Sequence, residues 1–298
     1  MPIFNKNKNY LLLHLVVFIW GFAGIFGRSI TLPASHLIWY RMLIASAGIF
    51  VFLIANKISL KASPAQLLRF AGVGILIAIH WLCFYQAIKI STISLTLACF
   101  SCGALFTALI EPLLFRRKVN WIEIAYGLVV ILSISLIFSF ETKFKLGILL
   151  SVFSALLSAF FTVLNAGLVK KNNSTVMTFY ELFFGFIAVG IYLLITGEYD
   201  AGFFQIGQTN LLLLLLFSLV ATAFTFVISS SILKEISPYT FNLTVNLEVV
   251  YGIILAFLIF RKKELMGTGF YAATAMILLT LFANAWMKQK QASKPKAN

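Results

Sequence analysis

Ten blocks of about 20 apolar residues occupy most of this chain, with only short segments between them. A block of roughly 20 apolar residues is long enough to cross the hydrocarbon of a bilayer as a helix. Lipid offers the backbone no hydrogen bonds, and the alternating pattern of a membrane barrel is absent. The sequence therefore predicts an all-α integral membrane protein with ten transmembrane helices. We number the blocks span 1 to span 10, at about residues 10–27, 34–55, 67–89, 92–115, 120–139, 146–168, 175–196, 209–231, 238–260 and 266–287.

Composition leaves no room for a sizeable soluble domain. Hydrophobic residues make up 61% of the chain and charged residues 11%, whereas a soluble domain is about 45–50% apolar and about 25% charged. The first block runs into Gly27 and Arg28 without a small-residue cleavage pattern, so we expect it to be a span and not a removable signal peptide.

The net charge of +14 reflects the loops between the spans and not a nucleic-acid partner. With a cytoplasmic N-terminus, 15 Lys and Arg residues fall inside, 7 fall outside, and Arg41 lies within a span. This bias predicts a multi-pass protein of the inner (plasma) membrane with both termini in the cytoplasm. Arg261, Lys262 and Lys263 depart from the bias, because they fall outside.

A faint internal repeat divides the ten spans into five plus five. Ile90–Ser91 matches Ile236–Ser237 146 residues later, and Phe115–Lys118 matches Phe260–Lys263 145 residues later. An odd number of spans per half inverts the two repeats across the membrane. Inverted repeats are typical of secondary transporters, with the binding site near the midplane. We assign residues 1–140 to the first five-helix repeat and residues 141–298 to the second.

Two ionisable residues lie deep within apolar spans. Glu248 is in span 9 and Arg41 is in span 2. An ionisable side chain at membrane depth costs at least about 2.5 kcal/mol, so it usually faces a cavity or a partner. Glu248 is interpreted as a carboxylate that binds a cationic group or a proton, or alternatively as a structural ion-pair partner. Arg41 is suited to a substrate carboxylate, or alternatively ties helices together or extends its charged end to the membrane surface.

Depth within the spans selects the other candidates. Arg41 lies about seven residues from the outside, and Tyr180 and Glu181 lie about six residues from the cytoplasm. Histidine as a residue type titrates in a useful range, which makes His80 a candidate, although a lone histidine in a bundle is more often a packed hydrogen-bonding residue. The predicted substrate-binding residues are Trp20, Arg41, His80, Trp81, Tyr180, Glu248 and Tyr251, and the predicted coupling or gating residues are Glu181 and Glu248.

Helical spacing separates the polar residues of span 9 into two faces. Glu248 shares a face with Thr244 and Tyr251, because residues three and four apart are neighbours on a helix. Asn242 and Asn246 lie on a nearly opposite face. If the helix is regular, only one face lines the cavity, and we expect it to be the Glu248 face. The alternative for the two asparagines is hydrogen bonding to neighbouring helices.

No motif in the chain indicates a bound cofactor. The phosphate-binding Gly-Lys-[Ser/Thr] sequence is absent, so nucleotide-driven pumping has no support. Cys99 and Cys102 have metal-like spacing but no second pair or histidine follows, and we interpret them as small packing residues. The sequence predicts neither a cofactor nor a metal.

An ordered set of short motifs runs along the chain: Trp20-Gly21, Arg41, Ser91, Pro112, Ser237-Pro238, Asn246-Leu247-Glu248 and Tyr251-Gly252. This set resembles the drug/metabolite transporter superfamily, specifically the ten-helix exporters of the EamA type. The chain departs from that family in two places: Glu248 is followed by Val249 where the family usually has proline, and Arg261-Lys262 stand where it often has Gly-Glu. The missing proline removes an expected break in span 9. The resemblance implies export or exchange of small metabolites, often amino acids or amphipathic compounds.

We therefore expect a secondary transporter, not an enzyme, that moves small organic metabolites, plausibly amino acids, by alternating access. One alternative is export of cationic or amphipathic drugs by proton antiport. Another is a membrane scaffold or enzyme without transport, although the short loops carry no catalytic constellation. The expected partners are a small-molecule substrate and membrane lipid, with no nucleic acid. The architecture suits a monomer or a homodimer.

Overall fold

The computed structural model describes residues 2–200 and 202–292, and the regular structure within them is entirely helical. Within these residues, nine helical segments are long and apolar enough to cross a membrane. A shorter apolar stretch, Thr268–Asn284, lies in the last helix. The all-α membrane fold predicted from the apolar blocks is confirmed.

Six spans are single helices and four are interrupted. The single helices are span 2 (Ala34–Ala55), span 3 (Pro64–Ile90), span 5 (Trp121–Phe140), span 6 (Lys145–Leu168), span 7 (Ser174–Thr196) and span 10 (Thr268–Ala292). Interrupted are span 1 (Pro2–Trp20, Ala23–Ser29), span 4 (Ile93–Phe100, Gly103–Phe115), span 8 (Gln208–Ser218, the π-helix Leu219–Phe224, Thr225–Ile232) and span 9 (Pro238–Val245, Leu247–Phe260). Two 3₁₀ turns, Thr142–Phe144 and Arg261–Glu264, precede spans 6 and 10.

Local sequence signals set where several spans begin. Ser63 caps span 3 through a reciprocal capping box with Gln66, and a proline occupies the first helical turn. Ser237 caps span 9, again with a proline in the first turn. These side chains accept hydrogen bonds from backbone N–H groups that have no partner inside the helix.

Backbone features repeat at the spacing found in the sequence. Span 4 is interrupted at Ser101 and Cys102, and span 9 is interrupted at Asn246, 145 residues after Ser101. Arg116 and Arg261, also 145 apart, each follow the end of a span with positive φ. Helix packing has the same symmetry: span 3 packs on spans 6 and 7, and span 8 packs on spans 1 and 2.

Two buried carboxylates accept hydrogen bonds from backbone nitrogens at the beginnings of two interrupted spans. Glu264 accepts hydrogen bonds from the backbone nitrogens of Ile93 and Ser94, at 3.2 and 2.9 Å, where span 4 begins. Glu111 accepts from the backbone nitrogen of Tyr239 at 3.0 Å, where span 9 begins, and pairs with Arg117 at 2.7 Å. A negative charge at a helix N-terminus is stabilising because of the helix dipole.

We call the membrane side on which span 1 begins the N-side, and the other the opposite side. Odd spans begin and even spans end on the N-side. A buried apolar cluster, the N-side layer, joins spans 1, 3, 6, 7, 8 and 9 towards this side. Its members are Leu13, Val17, Phe70, Ala166, Val169, Met177, Ile232, Leu233, Ile236, Phe241 and Val245.

Spans 3 and 7 approach closely at Gly74, where an added Cβ would lie 2.2 Å from the backbone oxygen of Glu181. We expect Gly74→Ala to destabilise the protein by about 1.5 kcal/mol, because a backbone contact cannot yield as a flexible side chain can. Gly72→Ala on the same helix is the matched control, since a Cβ there meets nothing within 4 Å. Thermal unfolding in detergent measures both, and an equal transition temperature for the two variants would refute the expectation.

Candidate functional site

A cavity lies between the two halves of the bundle. The centres of water molecules can occupy a volume of about 60 Å³ in this cavity. One water needs roughly 10–15 Å³ of volume measured in this way, so a few waters or a small polar group fit. The lining comes from spans 1, 2, 3, 4, 6, 8 and 9: Trp20, Ala23, Arg41, His80, Trp81, Phe84, Tyr85, Phe100, Ser158, Phe161, Thr162, Phe226, Phe241, Asn242, Val245 and Glu248.

Three helix interruptions border this cavity. Trp20 and Phe100 are each the last residue before a break, in spans 1 and 4. Val245 and Glu248 flank the break in span 9. Non-helical backbone at membrane depth is tolerated where it is buried in protein or lines a cavity. Interrupted helices are also where transporters bind substrates and ions.

The guanidinium of Arg41 is almost fully buried, with 2% of the residue exposed. Its Nε donates to Thr222 Oγ1 at 2.7 Å and its Nη1 donates to Tyr85 Oη at 2.8 Å. The plane lies between the Trp81 and Phe217 rings, 3.8 and 4.0 Å from their centroids. These contacts fix the group and leave Nη2 without a hydrogen bond among the described residues. One edge of the fork is therefore open at the cavity.

Glu248 provides the acidic group of the cavity. The residue is 6% exposed, and no described residue forms a hydrogen bond or ion pair with its carboxyl group. Glu248 and Arg41 are close enough to attract each other when both are charged, yet they do not pair within 4 Å. The cavity thus holds one basic and one acidic side chain, each with unused hydrogen-bonding capacity among the described residues.

His80 and Trp20 also contribute polar groups to the lining. His80 Nδ1 lies 2.9 Å from the Ser154 carbonyl and 2.7 Å from Ser154 Oγ, so this nitrogen is fully engaged with span 6. Trp20 donates from Nε1 to Thr225 Oγ1 at 2.9 Å. Both rings are held in fixed orientations by hydrogen bonds to other spans.

The structure brings together five of the predicted residues, namely Trp20, Arg41, His80, Trp81 and Glu248, and places three elsewhere. Tyr180 donates to the Leu60 carbonyl at 2.8 Å and stacks on Phe70 near the N-side layer. Tyr251 packs against Phe18, with its Cβ beside Gly21. Glu181 is fully buried and bonded to Asn165, outside the cavity lining.

Span 9 differs from the regular helix expected in the absence of proline. The break at Asn246 lies two residues before Glu248, and the Val249 nitrogen bonds the Asn246 carbonyl three residues back. Span 9 is interrupted, and Asn242 and Glu248 both line the cavity, so the single lining face expected of a regular helix is not found. Asn242 also donates to Thr107 Oγ1 at 2.7 Å, as the hydrogen-bonding alternative expected.

The sequence did not identify most of the aromatic residues that line the cavity, which we call the aromatic wall: Trp20, Trp81, Phe84, Tyr85, Phe100, Phe161, Phe226 and Phe241. Phenylalanine accounts for 31 residues of the chain, so composition gives no way to distinguish lining rings from lipid-facing ones. A usable signal exists in span 6, where Ser158, Phe161 and Thr162 share one face at helical spacing. The remaining lining phenylalanines, Phe84, Phe100, Phe226 and Phe241, have no such signal.

Comparisons with known proteins agree with this architecture. The EamA-like transporter family matches residues 7–139 and again residues 145–293. A protein of Archaeoglobus fulgidus described as an uncharacterized transporter is 25% identical over 269 residues, covering 87% of this chain and 91% of that protein. One solved crystal structure shares the fold at a TM-score of 0.68 and 14% identity, over 96% of this chain and 99% of the other.

Proposed function

Because the chain belongs to the EamA-like transporter family, we propose that it is a secondary transporter of small zwitterionic metabolites, such as amino acids, working by alternating access. Family membership identifies a multi-pass membrane transporter and not an enzyme. The substrate class rests on the chemistry of the central cavity.

The observation that carries the proposal is a basic and an acidic side chain on one small cavity. Arg41 presents an open guanidinium edge, and Glu248 presents a carboxyl group that has no hydrogen-bond partner in the described part of the chain. A guanidinium fork matches a carboxylate bidentately, and a carboxylate accepts from an ammonium group. An α-amino acid carries both complementary groups on one carbon. It therefore satisfies both charges at once while remaining neutral overall.

The aromatic wall supports a substrate with an apolar part. Trp20, Phe84 and Phe100 line the same cavity as the two charges. Such surfaces bury an apolar side chain, while few polar groups fix the orientation of the ligand. The small volume favours a compact metabolite over a bulky amphipathic compound.

Export of cationic drugs is less well supported. One aromatic face of the cavity, the Trp81 ring, is already covered by the guanidinium of Arg41 at 3.8 Å. Arg41 would also repel a second positive charge in a cavity of low dielectric constant. A zwitterion avoids this repulsion because its carboxylate meets Arg41.

Alternating access requires contacts that break on one side at a time. On the N-side, Gln66 donates to Asn172 at 2.6 Å across the two halves. On the opposite side, Thr31 and Asn210 exchange two hydrogen bonds, at 3.1 and 2.9 Å. We propose that residues 1–140 and 141–298 are the two bodies that move, with these contacts opening in turn.

The distribution of charge supports an orientation for the chain. The N-side segments carry more Lys and Arg than those of the opposite side, 15 against 7. We propose that the N-side is cytoplasmic and that the membrane is the inner (plasma) membrane.

Thermal stabilisation of the purified protein by matched ligands tests the substrate class. The probes are sets of amino acids, the amines that lack the carboxylate, and the carboxylic acids that lack the amine. We expect at least one amino acid to raise the transition temperature more than either partial analogue, since a ligand that binds the native state stabilises it. Stabilisation by amines alone would refute the zwitterion proposal and favour a cation.

Tyr85→Phe is expected to raise the KM for transport roughly tenfold. The hydroxyl orients Arg41, and a hydrogen bond to a charged group contributes about 1.5 kcal/mol. Tyr251→Phe is the matched control, because Tyr251 is a tyrosine outside the cavity lining. Initial rates of uptake into proteoliposomes over a range of substrate concentration give both KM values. An equal KM for the two variants would show that Tyr85 does not position Arg41.

A further inference from the structure

Another buried acid, outside the cavity lining, lies between the cavity and the N-side layer. Glu181 on span 7 has no exposed surface, and its neighbour Asn165 on span 6 is 3% exposed. Along span 6, Thr162 lines the cavity, Asn165 follows, and Ala166 belongs to the N-side layer. Along span 7, Met177 of the N-side layer is one helical turn from Glu181. The pair therefore separates the cavity from the N-side.

Hydrogen bonding at this pair is incomplete. Asn165 Nδ2 donates to Glu181 Oε2 at 3.2 Å. Glu181 Oε1 and Asn165 Oδ1 are both buried and have no partner among the described residues. Both are acceptors when the acid is ionised, so neither can satisfy the other. A proton on Oε1 converts it into a donor for a nearby acceptor, and a protonated acid pairs with an amide through two hydrogen bonds.

No positive charge among residues 2–200 and 202–292 pairs with an ionised Glu181. Spans 2, 3 and 8 pack on span 7, and span 6 meets it through Asn165. No described titratable residue on these spans forms a hydrogen bond or ion pair with Glu181. An isolated carboxylate in such surroundings is strongly disfavoured relative to its neutral form. The titratable side chains on these spans are His36, Tyr40, Arg41, Arg69, His80, Cys83, Tyr85, Lys89, Lys145, Tyr180 and Tyr192.

We infer that Glu181 and Asn165 form a proton-binding site, distinct from the substrate cavity, that couples transport to a proton gradient. This inference rests on the proposed transport function for its consequence, though not for the binding itself. In the present conformation Glu181 holds a proton and donates it towards Asn165.

The location of the pair gives it access to both sides in turn. When the N-side layer separates, Glu181 meets water from the N-side and releases or takes up its proton there. When the cavity opens to the opposite side, water reaches Glu181 and Asn165 by passing Thr162, which lies on the same face of span 6 as Asn165. Two free oxygens are too few for an oxygen-coordinated metal cation, which takes about six ligands.

Infrared spectroscopy of the protein in lipid membranes at neutral pH tests proton binding directly. We expect a carboxylic acid C=O band in the wild type that Glu181→Gln lacks and Glu248→Gln retains. An unchanged band in Glu181→Gln would overturn the inference. Replacing choline chloride with sodium chloride at constant pH should leave the band intact, whereas its loss would mean that Na⁺ displaces the proton and would overturn the assignment to a proton alone.

Transport measurements test the coupling. Proteoliposomes loaded with a mixed amino-acid pool are assayed with and without a proton gradient. We expect the gradient to change the efflux rate of the wild type and of the control variant Glu235→Gln, in which an exposed acid is replaced. In Glu181→Gln, we expect the efflux rate to be the same with and without the gradient. A retained gradient response in Glu181→Gln would refute the coupling. No efflux from the wild type would refute the proposed function, and the infrared result would still decide the proton site.

Discussion

Arg41→Lys is expected to lower the transport efficiency (kcat/KM) for an amino acid by roughly 100-fold. Lysine keeps the positive charge but loses the planar fork that serves Thr222, Tyr85 and the substrate together. A compact ammonium group has three donors but not the planar spacing that reaches both hydroxyls, and the bidentate contact with a carboxylate is lost. Disrupting a buried, hydrogen-bonded charge costs about 3 kcal/mol, and each 1.4 kcal/mol is tenfold.

The matched control is Arg69→Lys, because Arg69 is exposed on span 3. Initial rates of uptake into proteoliposomes, with equal amounts of inserted protein, give kcat/KM for each variant. A loss below threefold in Arg41→Lys would contradict the account, since a charge without defined geometry would then suffice. Thermal unfolding of the same preparations separates a binding defect from a folding defect.

Glu248→Gln is expected to change which compounds are transported as well as how fast. The amide keeps the size of the side chain but removes the negative charge that meets the ammonium group. Efficiency for amino acids should fall by roughly 30-fold, corresponding to about 2 kcal/mol for one buried charge-assisted contact. The transport efficiency for carboxylic acids without an amino group should rise relative to that for amino acids. Arg41 still binds the carboxylate of these acids, and the negative charge that would repel it at position 248 has been removed.

Competition between an amino acid and the matching acid without the amine measures this selectivity. Glu235→Gln, an exposed acid on the N-side, is the control. If Glu248→Gln slowed both compounds equally, Glu248 would act in coupling or folding and not in recognition of the ammonium group.

The apolar blocks predicted the spans because a membrane requires continuous apolar length and nothing else competes with that signal. The repeat register of 145 residues, inferred from Phe115 and Phe260, reappears in the breaks at Ser101 and Asn246. Arg41 and Glu248 were identified as candidates because isolated charges in apolar spans need a compensating environment.

The details of the site were harder to predict because they depend on backbone irregularity. No proline stands at the break at Asn246 to predict it from the sequence, and the π-helix at Leu219–Phe224 likewise has no sequence signature. Asn242 lines the cavity and Tyr251 does not, which regular helical spacing did not predict. Tyr180 lay at a suitable depth, but depth alone does not specify direction around the helix axis.

Efflux from proteoliposomes loaded with a mixed pool of amino acids, amines and carboxylic acids tests the central claim most directly. Mass spectrometry identifies which compounds leave wild-type vesicles and which leave vesicles containing Arg41→Lys or Glu248→Gln. We expect selective loss of one or more amino acids from wild-type vesicles and little loss from vesicles that contain either variant. Selective loss of amines, or equal loss from wild type and variants, would contradict a zwitterion held between Arg41 and Glu248.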